Sequence, residues 1–314
     1  MNPDLSYVSV VEPIGPAIER VKTILFRPFD LGKWLVIGFS AWLAQLGSKR
    51  VNMNYRSSES HGGPREMYYE VKDYVLANLD WIIPLAAALF VVVVGLWLLM
   101  VWLSSRGRFS FLYCVAQNKG EFLNPWRQYR GHADSLFSFR VVLGILAFVV
   151  VVAFLALTGV VVASAIKTSG FGPYNIVAIV MCGLLSFAAM VVFGLIGMFT
   201  RDFVVPIMYL HNVKCTRAWR VLAGMISANM GRFILYVLFQ FVIGLAIGVL
   251  VLGMMCICCV ACCFLAIPYV GTVLLLPFIV FGRSYSLYYL AQYGPDFNVF
   301  EPEPEEVPPT AMQI

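Results

Sequence analysis

The longest apolar stretch of the chain covers residues 233–281, which contain no Asp, Glu, Lys, Arg or His. A bilayer core of about 30 Å is crossed by roughly 20 apolar helical residues, so these forty-nine residues exceed one crossing and suffice for two. Because lipid cannot hydrogen-bond to the peptide backbone, the backbone groups of each crossing have to be satisfied internally. The stretch therefore predicts a hairpin of two membrane-spanning helices.

Four further apolar runs precede this hairpin, and together the runs predict an all-α integral membrane protein with six transmembrane helices. We predict a six-helix membrane domain over residues 31–290. A cytoplasmic interfacial segment, residues 1–30, precedes it, and a polar outer loop, residues 48–80, follows the first span. The acidic, Pro-rich residues 295–314 predict a disordered tail. The predicted spans cover residues 31–47, 81–103, 141–166, 174–199, 233–255 and 261–281.

The composition also favours a membrane-embedded chain. Hydrophobic residues make up 61% of the sequence and charged residues 12%, with a mean hydropathy of +0.83. Soluble domains have about 45–50% apolar and about 25% charged residues. The N-terminus has no basic start followed by an apolar core and a small-residue cleavage site, so we expect no removable signal peptide.

Lysine and arginine are divided unevenly between the two sides of the predicted membrane domain. Sixteen lie in the N-terminal segment, in the second and fourth connections and after the last span, whereas six lie in the other connections. The positive-inside bias then places both termini in the cytoplasm. The basic residues flank spans and form no separate basic domain, so the net charge of +5 does not predict nucleic-acid binding.

The chain also contains an internal repeat. A shift of 93 residues aligns Arg108 with Arg201, and a shift of 175 residues aligns Arg108 with Arg283. The second alignment has six identities in eleven positions, including a Gln as well as the Arg, which apolar composition does not supply. We therefore predict three hairpins in the same orientation, which makes them parallel repeats. Chance similarity between apolar membrane segments is the alternative explanation.

Short amphipathic segments precede the predicted hairpins. Apolar side chains recur at helical spacing in residues 14–25, so we expect this segment to lie in the cytoplasmic membrane interface with its apolar face buried. Equivalent helices are expected over residues 126–137 and 216–229. Trp126 and Trp219 lie in these two helices and suit the headgroup boundary, where the ring is buried and the indole N–H stays hydrated.

Basic and aromatic residues at the cytoplasmic ends of the spans form the candidate site, which we call the cytoplasmic collar. We expect the collar to contact anionic lipid headgroups or a partner protein, with each Lys or Arg near the surface adding about 1 kcal/mol. Simple anchoring of the span ends is the alternative. The collar consists of Arg27, Lys33, Arg108, Trp126, Arg127, Arg201, Trp219, Arg220 and Arg283.

Five of the eight cysteines lie within residues 256–263. Cys259 and Cys262 have the spacing of a redox or metal pair, but a structural zinc site takes four thiolate or imidazole ligands and no His lies nearby. A thiol in apolar surroundings has a raised pKa and is inert. We therefore expect these cysteines to pack as small apolar residues and predict no metal site, with a disulfide or a bound metal as the alternative.

The sequence contains no catalytic motif. His61, His132 and His211 are expected to be solvated, and no nucleophile elbow, phosphate-binding loop or HExxH motif accompanies them. Apart from Lys33 at the start of the first span, the predicted spans contain no Asp, Glu, Lys, Arg or His, which disfavours an ion-coupled pump. We therefore expect a protein that is not an enzyme and that uses no cofactor.

Three stretches, residues 26–43, 107–140 and 201–220, carry a resemblance to a known group of proteins. They read FRPFDLGKWLVIGFSAWL, GRFSFLYCVAQNKGEFLNPWRQYRGHADSLFSFR and RDFVVPIMYLHNVKCTRAWR. These stretches resemble uncharacterised bacterial multi-pass membrane proteins that are distantly similar to the membrane domain of some glycerophosphodiester phosphodiesterases. The resemblance implies a six-span architecture and a bacterial inner-membrane location. It does not imply the enzymatic activity, because the sequence has no phosphodiesterase domain.

These observations favour a non-enzymatic membrane scaffold or assembly factor. Its expected partners are membrane lipid and either another membrane protein or further copies of the chain, with no nucleic acid. A transporter or channel for a lipid or an apolar solute is the alternative, because three hairpins can enclose a cavity. A membrane enzyme that uses the cysteines of residues 256–263 for redox or metal chemistry is the third possibility.

Overall fold

The structure is a computed structural model and describes residues 8–46, 78–167, 172–257 and 267–300. All regular secondary structure in these ranges is helical. A π-helical turn, Thr200–Val204, connects the helices Pro173–Phe199 and Val205–His211, and a 3-10 turn, Pro295–Phe297, follows the helix Leu276–Ala291. The helices are α1 (Ile14–Leu25), α2 (Leu31–Gln45), α3 (Leu79–Gln117), α4 (Leu123–Gln128), α5 (Arg130–Lys167), α6 (Pro173–Phe199), α7 (Val205–His211), α8 (Cys215–Ala228), α9 (Met230–Ile257), α10 (Pro268–Leu274) and α11 (Leu276–Ala291).

Local sequence explains several of the helix ends. The Asp30 side chain accepts hydrogen bonds from the backbone N–H groups of Gly32, at 2.8 Å, and Lys33, at 3.4 Å, and so caps the start of α2. Asn118 and Asn212 end α3 and α7 with φ values of 53° and 55°, a left-handed conformation that asparagine tolerates better than most residues.

Four helical segments are long and apolar enough to cross a membrane. Their most apolar windows are only 0–6% buried inside the protein, so these side chains are available to lipid. The finding confirms a membrane protein in which four of the predicted spans coincide with long apolar helices. The four segments are Leu79–Gln117, Arg130–Ser164, Pro173–His211 and Met230–Gly253.

The predicted first and last spans are not among these four segments. Helix α2 has 15 residues, which gives it a length of about 22 Å at about 1.5 Å per residue. The described part of the predicted last span is divided between α10 and α11 at Leu275, and Pro277 lies in the first turn of α11, where it has no N–H to donate. Cys259 and Cys262 lie outside the described residues, as do most of the predicted outer loop and tail.

A compact core lies at one end of the long helices. Helix α3 illustrates this, because Leu89 is 62% exposed whereas Leu112, near the other end of the helix, is fully buried. Helix α9 runs in the opposite direction, since Tyr236 near its start is fully buried whereas Val249 further along is 61% exposed. The C-terminal ends of α3 and α6 therefore pack with the N-terminal ends of α5 and α9. Helices α1, α2, α7, α8 and α11 complete this core.

Helix α1 coincides with the predicted residues 14–25, but its apolar face packs on protein. Ala17, Ile24 and Leu25 are buried and belong to the core, where α1 lies against α11. The segment before α1 is also held there, because the Tyr285 hydroxyl donates a hydrogen bond to the Val10 carbonyl at 2.9 Å. Part of the apolar face that was expected in the membrane interface therefore packs on protein, while Ile18 on the same helix is 44% exposed, and the interfacial position of α1 stays a prediction.

The predicted hairpins pack to different degrees. Helix α5 lies along α6, as expected for hairpin partners. Helix α2 lies instead along the part of α3 that follows the predicted span 81–103, where Lys33 bonds to Asn118 and the Ser104 hydroxyl donates to the Ala44 carbonyl. Helix α9 contacts α8 and reaches α11 through aromatic rings near its start, for example between Tyr236 and Tyr285 at 6.0 Å. The predicted interfacial helix of residues 126–137 is interrupted at Tyr129, between α4 and α5, whereas α8 matches its predicted range closely.

Candidate functional site

The collar residues divide into an outer and an inner group. Arg27, Arg127 and Arg220 are exposed on the surface of the compact end. Arg108 and Arg283 are buried, with exposed fractions of 8% and 7%. The collar residues predicted from the sequence therefore lie in two different environments, the exposed surface and the buried interior of the compact end.

The remaining outer members make contacts with neighbouring helices. Lys33 Nζ donates a hydrogen bond to Asn118 Oδ1 at 2.8 Å, which joins the start of α2 to the end of α3. The Trp126 ring packs edge-on against Trp102, with the ring centroids 6.2 Å apart. The Trp219 ring lies 5.8 Å from the Phe139 ring. These contacts tie α4 and α8 to the long helices.

The inner group lines one cavity of about 370 Å³ at the centre of the compact end. Three arginines reach it from three places in the chain: Arg108 from α3, Arg201 from the π-helical turn and Arg283 from α11. These are the three arginines that the sequence repeat aligns. The other lining residues are Ala41, Ala44, Gln45, Phe111, Asp202, Gln240, Phe278, Ile279 and Gly282.

Asp202 supplies the one carboxylate among the lining residues of this cavity. It is 3% exposed and accepts a hydrogen bond from Arg201 Nε at 2.9 Å. Its second oxygen accepts a hydrogen bond from the Tyr236 hydroxyl at 3.2 Å. The carboxylate is thus paired on both oxygens, mainly with one of the three arginines.

The other two arginines have unused donors. Nε of Arg108 and Nε of Arg283 are buried and have no hydrogen-bond partner among the described residues. Arg283 donates from Nη1 to the Arg201 carbonyl oxygen, which fixes the position of its guanidinium. Gln240 Oε1 is also buried without a partner. Because a guanidinium carries five N–H donors and a permanent charge, the cavity has an excess of donors and of positive charge.

Two neighbouring arginines are already partnered and do not line the cavity. The Arg106 guanidinium lies 4.3 Å from the Trp102 ring centroid and 3.4 Å from an Asp134 oxygen. Arg140 donates to Ser105 Oγ at 3.1 Å. Nε of Arg106 is also buried without a partner, but its guanidinium has Asp134 and the Trp102 ring beside it. Arg108 and Arg283 are therefore the two arginines whose unpartnered Nε lies on a residue that lines the cavity.

Close packing of α2 on α3 gives the cavity one of its walls. A Cβ atom on Gly107 would lie 2.6 Å from Leu43 Cβ and 2.7 Å from the Ala44 backbone nitrogen. The missing side chain lets α2 approach α3 at backbone distance, which brings Ala44 and Gln45 to the cavity beside Arg108.

The π-helical turn Thr200–Val204 positions the opposite side. A π turn adds one residue to a helix, and such turns occur frequently at functional sites. Arg201 and Asp202 both belong to this turn and both line the cavity. The turn is held by Thr200 Oγ1, which donates to the Ile196 carbonyl at 2.6 Å.

Sequence reasoning missed part of this site. Asp202 follows Arg201 in the sequence and pairs with it, but the burial of its carboxylate depends on helix packing that the local sequence does not reveal. Gln240 and Tyr236 were not identified. The available signal was the presence of a Gln inside an otherwise uncharged run, since a polar side chain there needs a partner.

Cys215, at the start of α8, is fully buried, and burial raises the pKa of its thiol to about 12. The thiol therefore stays protonated far above neutral pH, and we expect it not to react with maleimide in the folded protein at pH 8. Labelling in detergent, followed by peptide mass spectrometry, tests this directly. Cys215 should be labelled only after unfolding or as the pH approaches 12; rapid labelling of the folded protein at pH 8 would contradict the burial.

The part of the chain that the structure describes contains no group of three His, Cys, Asp or Glu residues that could hold a metal ion.

Comparison with known proteins gives one match. The model of a family of unknown function, DUF7544, matches residues 8–280, which is most of the chain. No curated protein and no solved structure matches. The similarity to the membrane domain of glycerophosphodiester phosphodiesterases therefore receives no support from these comparisons.

Proposed function

The chain belongs to the DUF7544 family, whose function is unknown, and we propose that it is a non-enzymatic membrane scaffold whose basic end contacts anionic lipid headgroups. The proposal includes a six-span topology in a bacterial inner membrane, with both termini in the cytoplasm. It also includes a protein partner, or further copies of this chain, held at the same end.

The observation that carries the proposal is the surface of the compact end. Arg27, Arg127 and Arg220 are exposed there, on three different elements. Large apolar side chains lie next to Arg27 in sequence and are equally open, with Phe29 57% and Leu31 64% exposed. Basic and apolar side chains side by side suit the headgroup layer, where the apolar groups enter the acyl boundary and the cations meet lipid phosphates.

The helix ends support the parallel repeat. Each of the three helices that carry or follow a cavity arginine ends near a residue with positive φ: Asn118, Asn212 and Gly294, at 53°, 55° and 140°. In the six-span topology, residues 261–281 would return the chain to the cytoplasmic side. In that topology the three cavity arginines all lie just beyond the cytoplasmic end of a span.

Reversing two exposed collar charges tests the lipid contact. We expect the double variant Arg127→Glu/Arg220→Glu to lose preference for phosphatidylglycerol over phosphatidylcholine. Each arginine near the surface contributes about 1 kcal/mol, which is about fivefold in affinity. The preference can be measured in reconstituted vesicles from tryptophan quenching by brominated forms of the two lipids.

The control is the double variant Arg127→Lys/Arg220→Lys, which keeps both charges and should keep the preference. If the Glu variant retains the lipid preference of the unmodified protein, the exposed collar does not recruit anionic lipid, and the scaffold proposal loses its supporting contact.

A further inference from the structure

We propose that the cavity lined by Arg108, Arg201 and Arg283 binds one phosphate-class anion. The site is separate from the exposed collar residues, because Arg108 and Arg283 are buried whereas Arg127 and Arg220 are exposed. Arg201 lines the cavity as well, although its side chain is 52% exposed. The anion is either the phosphate of a membrane lipid headgroup or a free phosphate compound, and the two sources share the same recognition chemistry.

The charge balance of the cavity is the first argument. Three guanidinium groups share a single lining carboxylate, Asp202, whose oxygens are already bonded to Arg201 and Tyr236. Arg108 also lies within electrostatic range of a fourth arginine, Arg140. A buried charge without a counter-charge is unfavourable. An anion in the cavity supplies the missing negative charge.

Unused donors are the second argument. Arg108 is more than nine-tenths buried and so is Arg283, yet Nε of each has no partner among the described residues. Nearly all buried polar groups in proteins are hydrogen-bonded, so two such orphans in one cavity indicate a ligand that accepts from both. A tetrahedral phosphate presents several acceptor oxygens, and the guanidinium fork matches it in a bidentate manner.

Size and lining restrict the ligand further. A volume of about 370 Å³ is near the lower end of ordinary small-molecule sites. It holds a phosphate with a few attached atoms, not an entire lipid. Phe111, Phe278 and Ile279 provide apolar walls beside the arginines, so the group attached to the phosphate is expected to have carbon facing these side chains.

Depth favours the lipid source. The sequence places the ends of the predicted spans at residues 103, 199 and 281, and each cavity arginine follows one of these positions by a few residues. In the predicted topology this is the level of the cytoplasmic headgroups. Arginines that meet there can take the phosphate of a lipid that enters from the side.

Native mass spectrometry of the full chain in dodecyl maltoside tests the site. The probes are short-chain phosphatidylglycerol, short-chain phosphatidylcholine and inorganic phosphate. We expect one phosphatidylglycerol per chain to be retained in preference to phosphatidylcholine, and we expect Arg108→Gln to weaken its binding at least tenfold. The matched control, Arg217→Gln, changes an exposed arginine on α8 and should bind as the unmodified protein does.

Two further measurements keep the proposal falsifiable if Arg108→Gln does not fold. Gln240→Leu removes a side-chain amide from the cavity lining, and with it the NH2 group that can donate to a phosphate oxygen, so the variant should fold and yet bind more weakly. Arg108→Lys keeps the charge but not the bidentate fork and should give an intermediate affinity.

The outcomes separate the ligand sources. If inorganic phosphate displaces the lipid at similar concentration, the site takes a free phosphate compound; if it does not, the lipid headgroup is the ligand. The proposal is overturned if neither phosphatidylglycerol nor inorganic phosphate binds saturably. It is also overturned if folded Arg108→Gln and Gln240→Leu both bind phosphatidylglycerol like the unmodified protein. Because Arg127→Glu/Arg220→Glu leaves the cavity intact, that variant should still retain the single tight ligand, so failure of the collar proposal and failure of this one are distinguishable.

Discussion

Replacing Gly107 with alanine is expected to destabilise the protein by about 3 kcal/mol, the upper end of the usual overpacking cost. The new Cβ would lie 2.6 Å from Leu43 Cβ, 2.7 Å from the Ala44 nitrogen and 2.8 Å from the Leu43 carbonyl carbon. Two of these three atoms belong to the backbone of α2, so no side-chain rotation relieves the contact. Helix α2 would have to move away from α3, and the cavity wall at Ala44 and Gln45 would move with it.

Gly95→Ala is the matched control because Gly95 lies in the same helix and has no atom within 4 Å of the position of an added Cβ. Alanine is favoured over glycine in a helix by about 1 kcal/mol, so this variant should be as stable as the unmodified protein or slightly more so. Thermal unfolding of both variants in detergent, followed by fluorescence-detected size exclusion, measures the difference. Equal stability of the two alanine variants would show that α2 does not depend on the close approach at Gly107.

The arginines show how far sequence reasoning reaches in this chain. The repeat identified Arg108, Arg201 and Arg283 as equivalent, and the structure brings all three to one cavity. The burial of Arg108 and Arg283 was not predicted, since it depends on how helices distant in sequence pack around α3 and α11. Local pattern gives the helix and its amphipathic face, but it does not say whether that face meets lipid or protein.

Helix α1 demonstrates the same limit. The spacing of its apolar residues predicted both ends of the helix correctly, because this spacing is a local property of the sequence. Its apolar face packs on α11, which begins more than 250 positions later in the chain. The π-helical turn Thr200–Val204 was not predicted either, because the sequence around Arg201 reads as the continuation of an ordinary span.

Removing the cavity carboxylate should have an effect as large as that of Gly107→Ala. We expect Asp202→Asn to lower the free energy of unfolding by about 3 kcal/mol, since removing one partner of a buried ion pair costs about 3–5 kcal/mol. The lower figure applies because the Arg201 side chain is 52% exposed, whereas Asp202 is only 4% exposed. The substitution leaves three arginines around the cavity without a lining carboxylate and weakens the bond to the Tyr236 hydroxyl.

Asp134→Asn provides the control for a carboxylate that pairs with arginine at the surface. Asp134 is 47% exposed and lies 3.4 Å from Arg106, so its loss should change stability by less than about 1 kcal/mol. Chemical denaturation of both variants in the same detergent compares the two effects. If both variants lose the same small amount, Asp202 does not act as the counter-charge of the cavity.

The double variant Arg201→Gln/Asp202→Asn tests whether the loss arises from uncompensated charge. Removing one arginine together with the carboxylate restores the charge balance, so the double variant should be more stable than Asp202→Asn alone. Added phosphate should likewise stabilise Asp202→Asn more than it stabilises the unmodified protein, because the anion then replaces the missing carboxylate. A double variant less stable than the single one, combined with no effect of phosphate, would mean that Asp202 holds the π-helical turn through geometry and not through charge.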